Sequence, residues 1–248
     1  MRLTVVGCAG SFPGPGVACS SYLVEFDGFR LLLDLGNGAL GALQSFCDPR
    51  DVDALVVSHL HGDHWLDVVP LAYARPHHPD GRVPDPLPLY VPDAGPLTTV
   101  LRRDVDRLQA VFDVRPIADG VIGPFAVRFH RTDHPVATYA IRVEAQGRSM
   151  GYTADTAWLD PLVEFFSGVD VLLAEATFPP DDDHVAPPPP GLHLNASEAG
   201  ELARRAGARR LVVTHIPPWA DVERHRAAAE KIFGGPTIAA RPALRVDL

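Results

Sequence analysis

Apolar segments that stop at a residue able to bind metal recur five times in this chain. LLL ends at Asp34, ALVVS runs into His59-x-His61-x-Asp63-His64, and FAVRFHR leads to Asp133-His134. MGYTA ends at Asp155, and RLVVT at His215. Each segment has the length and apolar content of a buried strand. A side chain at a strand end is held by a rigid scaffold, while the adjoining loop leaves it accessible. One such histidine is an ordinary hydrogen-bonded residue of core or surface. Several of them, with one cluster of three histidines and an aspartate, describe a site.

Strands are expected at Leu3 to Val6, Ser21 to Phe26, Phe29 to Leu33, Ala54 to Val57, Leu87 to Val91 and Val111 to Val114. A second series runs through Phe125 to His130, Tyr139 to Val143, Ser149 to Tyr152, Val169 to Ala174 and Arg210 to Val213. Asp27-Gly28 marks a hairpin. Helices are expected at Ala39 to Phe46, Leu66 to Ala74, Leu159 to Phe166, Ser197 to Ala206 and Val222 to Phe233. Asn195 or Ser197 caps the fourth, and Gly207 stands just past its end. Pro179 to Gly191, with three aspartates and four consecutive prolines, reads as a stiff surface loop. The order is strand-rich, helix, strand-rich, helix. It suits an α/β fold with two packed sheets and helices outside, in one domain over residues 1–248.

Composition removes several function classes. The formal charge is −9 with both signs scattered, so phosphate electrostatics alone would not hold nucleic acid. Arg102-Arg103 and Arg209-Arg210 read as solvated helix faces or ends. Cys8, Cys19 and Cys47 are too few for a disulfide framework and lack a CxxC spacing, which fits a reducing compartment. No apolar run approaches membrane-spanning length, so a cytoplasmic protein without a membrane partner is expected.

The 58–67 stretch, SHLHGDHWLD, has a spacing that matters. His59 and His61 share a face in an extended segment, whereas Asp63 and His64 follow the turn at Gly62 and face a second point. One segment can therefore supply parts of two neighbouring metal sites. Imidazole and carboxylate suit zinc first, and manganese or iron as well. A pair of metals needs a bridging group, for which Asp155 is the natural candidate.

His-x-His-x-Asp-His after a strand, followed by single His, Asp and His residues, resembles the metallo-β-lactamase fold superfamily. The resemblance runs from VVGCAGS and LLLDLGNG to VVTHIPPW. It implies a four-layer αββα sandwich with two divalent metal ions at the rim between the sheets. It assigns His59, His61 and His134 to the first ion, Asp63, His64 and His215 to the second, and Asp155 to both.

AEATF and GLHLNASEAGELARRAGARRLVVTHIPPW are similar to the phosphodiesterase branch, which includes ribonuclease Z and cyclic-nucleotide phosphodiesterases. That branch places a further histidine before a small-residue helix. Here it is His193, 22 positions before His215. A positioned imidazolium can protonate the departing alkoxide or stabilise phosphoryl oxygens. Glu175 is a candidate to orient a histidine. His134 and Asp155 are 21 residues apart, an interval that in ribonuclease Z houses a long arm gripping transfer RNA. The short interval and the acidic charge favour a small phosphodiester over a large folded RNA. The nearest resemblance is to bacterial cyclic AMP phosphodiesterases.

The reaction so implied is in-line attack on phosphorus by a metal-bridging hydroxide, with Asp63 orienting or deprotonating the nucleophile and His193 assisting the leaving group. A lactone or thioester hydrolase on the same metals, a ribonuclease trimming short RNA ends and an inactive metal-binding relative are the alternatives. Loops at Ser11 to Ala18, His77 to Pro86 and Pro179 to Leu192 are expected to shape the pocket. A homodimer is expected from the branch. His77, His78, His130, His184 and His225 lack comparable context and read as surface or core histidines.

Overall fold

The computed structural model describes residues 1–77, 79–82, 84–93, 95, 99, 110–180 and 189–248. Two seven-stranded sheets face each other. The first contains β1 (Arg2–Gly7), β2 (Ser21–Phe26), β3 (Phe29–Leu33), β4 (Ala54–Val56), β5 (Leu87–Val91) and β6 (Phe112–Pro116), side by side in chain order. The second contains β7 (Gly120–Ile122), β8 (Phe125–Arg131), β9 (Tyr139–Ala145), β10 (Arg148–Tyr152), β11 (Val171–Glu175), β12 (Leu211–Thr214) and β13 (Thr237–Ala239), likewise in chain order. A last strand, β14 (Arg245–Asp247), returns to pair antiparallel with β1.

Each sheet changes direction partway across. β1 to β3 and β7 to β10 are antiparallel meanders, whereas β3 to β6 and β10 to β13 pair in parallel. Parallel neighbours require a crossover, so helices are laid on the outer face of each sheet. Leu40 and Leu43 of α1 (Ala39–Leu43) are buried on the first sheet. The short α2 (Gly62–Trp65) precedes α3 (Val68–Ala74), which buries Val68 and Leu71 there. On the second sheet, α4 (Pro161–Phe165), α5 (Ala196–Ala206) and α6 (Val222–Phe233) bury Leu162, Leu202 and Ala229. Between the sheets, Leu3, Val24, Leu33, Phe125, Ile141 and Leu173 form the central core. The result is the expected αββα sandwich.

Local chemistry explains the best-defined helix. Asn195 accepts from Glu198 N while Glu198 accepts from Asn195 N, a reciprocal capping box. Gly207 ends α5 in the left-handed region at φ 64°. Several boundaries differ from expectation. The helix expected from Leu66 starts at Val68, because Gly62 to Trp65 closes its own turn, with Leu66 N donating to Gly62 O. β7, β13 and β14 are three-residue strands, too short to show periodicity. The proline-rich reading of residues 179–191 falls largely on residues 181–188, outside the described residues, as do His78, His184 and Arg102-Arg103.

The interval from His134 to Asp155 is filled by the β9–β10 hairpin, closed tightly at Gln146-Gly147 (φ 46° and 74°). The described residues of the His77 to Pro86 loop, 77, 79–82 and 84–86, lie away from the site. β4 and β5 are parallel, so their connection returns the chain to the end of the sheet opposite His59. There Asp80 pairs with Arg50 and Arg82 with Asp51, both in the 49–51 turn before β4. Among the described residues, no helix is long and apolar enough to cross a membrane.

Candidate metal centre

Five chain segments converge where the C-terminal ends of the parallel strands meet the facing sheet. β4 delivers His59 and His61, and α2 brings Asp63 and His64. The loop after β8 contributes His134, the loop after β10 Asp155, and the loop after β12 His215. The backbone is forced into the left-handed region at Ser11, Asp34, Ala154 and His215 (φ 66°, 60°, 50° and 58°). Such non-glycine conformations cost free energy and persist where the surroundings impose them, most often at functional sites. Gly36 and Gly10 permit the close approach. A Cβ on Gly36 would stand 1.9 Å from Asp63 O, and one on Gly10 would stand 2.3 Å from His215 O.

The seven expected ligands fall into two groups. His59, His61, His134 and Asp155 offer ligand atoms within 4.8 Å of one another, and so do Asp63, His64 and His215. Asp155 lies between the groups. Its Oδ2 is 3.5 Å from His59 Nε2 and 3.8 Å from His134 Nε2, while its Oδ1 is 3.3 Å from His64 Nε2 and 3.5 Å from His215 Nε2. Each oxygen thus faces one group, which suits a bridging carboxylate.

The residues fit a pair of cations on independent grounds. His59 Nε2 and Asp155 Oδ1 are fully buried with no hydrogen-bond partner, an arrangement that is costly without a bound partner. Imidazole nitrogens also face each other, His134 Nε2 at 3.0 Å from His61 Nδ1 and His64 Nε2 at 3.2 Å from His215 Nε2. Two neutral lone pairs at that distance repel unless a proton or cation lies between them.

The ring nitrogens turned away from the centre are held from behind. His64 Nδ1 meets Asp34 Oδ2 at 2.8 Å, His134 Nδ1 meets Leu192 O at 2.7 Å, and His215 Nδ1 meets Thr177 Oγ at 2.8 Å. A carboxylate or carbonyl behind a histidine fixes its tautomer and frees the opposite nitrogen for a metal. Asp34, which the sequence ranks with the strand-end ligand types, acts in this way. It also accepts from Ser58 N, Ser58 Oγ and Tyr152 Oη. Asp63 Oδ2 is oriented by Ser11 N at 2.8 Å, a contact that no sequence motif announces.

A model of the beta-lactamase superfamily domain matches residues 30–216. The chain belongs to this superfamily. It is similar to an uncharacterized protein of Mycobacterium leprae strain TN, 39% identical over 246 residues covering 95% of this chain and 84% of that one. It is also similar to a probable metallo-hydrolase of Bacillus subtilis strain 168, YhfI, 32% identical over 244 residues and 95% of each chain. The crystal structure of YhfI, a metallo-beta-lactamase fold protein, superposes with a TM-score of 0.88 over 99% of this chain and 98% of that one. A ribonuclease Z of Halorubrum lacusprofundi is 29% identical over 290 residues, covering 95% of this chain and 93% of that one. With the fold, these relatives and the His/Asp cluster, the superfamily member is a metal-dependent hydrolase related to ribonuclease Z.

Its electrostatics suit that chemistry. Burial holds His59, His61 and His134 below the usual imidazole range, so all three stay neutral. Burial works against ionised Asp63 and Asp155, yet His215 and His64 outweigh it and hold both carboxyls below their usual range. Neutral imidazoles and ionised carboxylates are the protonation states that metal binding requires. His64 is the exception: burial opposes its charge, but Asp155 and Asp34 prevail and raise it well above the usual value, so a cation bound there would displace its proton.

His193 stands beside both groups, with its Nδ1 3.8 Å from Asp155 Oδ2 and its ring 5.2 Å from that of His134. The same Nδ1 is 3.1 Å from each oxygen of Glu175. Glu175 also accepts from Thr156 N and Thr177 Oγ. Burial disfavours the imidazolium, but Glu175 prevails and lifts His193 to about 9. Of the remaining histidines, exposed His77 lies away from the cluster, His130 Nδ1 meets Arg131 O, and His225 is buried in α6 with its Nδ1 on Asp221 O.

Proposed function

We propose that the enzyme is a dinuclear phosphodiesterase acting on a small phosphodiester, a 3′,5′-cyclic nucleotide such as cyclic AMP first among them. His59, His61 and His134 would hold one cation and Asp63, His64 and His215 the other, with Asp155 available to both. Zinc is the metal best suited to this donor set. The observation that carries the reading is His193. Its ring is held by Glu175 through Nδ1, 3.8 Å from Asp155 Oδ2, which sets a charged imidazole at the edge of the centre.

Bound there, two divalent cations supply Lewis acidity toward phosphoryl oxygens and a water whose pKa falls to about 7. The chain's own residues do the rest. Asp63, aligned by Ser11 N, takes up the proton of the attacking water. Protonated His193 donates from Nε2 to the ester oxygen as its bond to phosphorus breaks, and Glu175 stabilises the charge until then. For a 3′,5′-cyclic nucleotide the product is the 5′-monophosphate. The closed β9–β10 hairpin leaves no RNA-gripping arm between His134 and Asp155, which supports a small substrate. The ribonuclease Z relative acts on RNA by its name, and kinship with it supports phosphodiester chemistry here.

Metal analysis and a substrate panel test the proposal. We expect about two transition-metal ions per chain and turnover of 3′,5′-cyclic AMP above 2′,3′-cyclic AMP, bis(p-nitrophenyl) phosphate, a short RNA and a lactone. Turnover of the lactone alone would overturn the phosphodiesterase reading. Absence of bound metal would overturn the site.

A further inference from the structure

Two partly exposed aromatic side chains touch each other on loops that also carry residues of the metal centre. Phe12 is 46% exposed and Trp219 is 68% exposed, with ring centroids 4.9 Å apart and planes inclined at 33°. They come from distant parts of the chain, the loop after β1 and the loop after β12. Both loops also carry parts of the catalytic apparatus. Phe12 follows Ser11, whose N–H aligns Asp63, and Trp219 lies four residues beyond His215.

The pair is also ordered in advance. Gly10 N donates to Ile216 O, joining the two loops, and Phe12 N donates back to Gly10 O. Trp219 follows Pro217-Pro218 and sits inside a turn in which Ala220 N donates to Pro217 O. Asp221 then caps α6 by accepting from Glu223 N and Arg224 N. Prolines, a turn and a helix cap leave this segment little freedom to lose on binding. Rings held rigid with much of their apolar area still in water contribute less to folding than fully buried ones. They are well suited to stack on a flat ligand, since every nucleobase offers a π-face.

Building on the phosphodiesterase reading, we propose that Phe12 and Trp219 form the platform on which the nucleobase of the substrate stacks while its phosphate occupies the His/Asp centre. Stacking of this kind favours bases in general over any one hydrogen-bonding pattern. The platform therefore selects nucleotides over base-free diesters and sets KM more than kcat.

The test compares metal-loaded wild type with F12A, W219A and the aromatic-preserving F12Y and W219F. Two substrates are used, 3′,5′-cyclic AMP and a ribose 3′,5′-cyclic phosphate that lacks the base. We expect each alanine variant to raise KM for cyclic AMP about 5- to 100-fold more than KM for the base-free diester, as loss of one stacked base requires. F12Y and W219F should recover most of that difference. Adenosine 5′-monophosphate should quench the tryptophan fluorescence of wild type and fail to quench that of W219A. If wild type cleaves both diesters and the alanine variants alter both KM values equally, or neither, the platform is wrong and the phosphodiesterase reading stands. If wild type cleaves neither, that reading fails and the platform with it. If W219A instead converts a dimer to a monomer in sedimentation with equal effects on both substrates, the pair is a contact between copies of this chain and the platform is overturned.

Discussion

Glu175 receives Nδ1 of His193 between its two carboxylate oxygens, each 3.1 Å away. A carboxylate in that position keeps the imidazole charged at neutral pH and holds its ring in place. The same Glu175 accepts from Thr177, whose hydroxyl meets His215 Nδ1. One buried carboxylate thus orients both the candidate proton donor and a candidate metal ligand.

The first prediction concerns that carboxylate. In Glu175→Gln, an amide group must face Thr156 N or Thr177 Oγ, both donors, so the pocket loosens as its charge is lost. We expect turnover to fall about 10- to 100-fold, the usual effect of losing a group that orients a ligand or acid. NMR titration of metal-free protein should place His193 near about 9 in wild type and lower in the variant. An unchanged titration would remove Glu175 from this role.

Asp34 gives the second prediction. It accepts four hydrogen bonds, from His64, Tyr152 and Ser58 twice. Asp34→Asn loses charge and one acceptor while His64 loses its fixed orientation. Affinity for one of the two metals should drop about 10- to 100-fold, read as a change from two bound ions to one during graded chelation. Loss of both metals in one step would argue against separate holders.

Removing the metals should expose the site's own pH dependence. The folded-state pKa values of His59, His61 and His134 lie below the ordinary 6.5. Below about that pH the unfolded chain therefore binds more protons, and stability falls as pH drops. His193 lies above its ordinary value, so its stabilisation is complete below 6.5 and is lost as pH rises through about 9. Thermal unfolding of the chelated protein should give a highest Tm between these limits. A Tm that rises steadily on acidification would contradict it.

Gly36 supplies a steric prediction. In Gly36→Ala the new Cβ meets Asp63 O at 1.9 Å, and neither backbone can yield without moving α2. Overpacking of this kind costs about 1–3 kcal/mol, and displacing Asp63 by an ångström can lower turnover about 100-fold. Gly41→Ala, which meets nothing within 4 Å in α1, is the control and should leave both quantities near wild type.

Much of this molecule can be read from the residues alone. The strand-end positions of His59, His134, Asp155 and His215 show in the sequence because buried strands are apolar runs, and a polar ligand type at their ends breaks the pattern. The cluster 59–64 is legible because four donors within six residues have few other uses. The sequence also supports a two-sheet sandwich, because its helices and strands alternate in blocks. Only the tertiary structure decided which oxygen of Asp155 faces which histidines, that Asp34 stands behind His64, that Glu175 serves His193, and that Ser11 N aligns Asp63. Phe12 and Trp219, 207 positions apart, became neighbours for the same reason. Periodicity records which side of an element faces the core, but contacts between distant loops depend on register, crossover direction and positive-φ turns. Those are settled only when the two sheets pack and the strand ends are brought to a common rim.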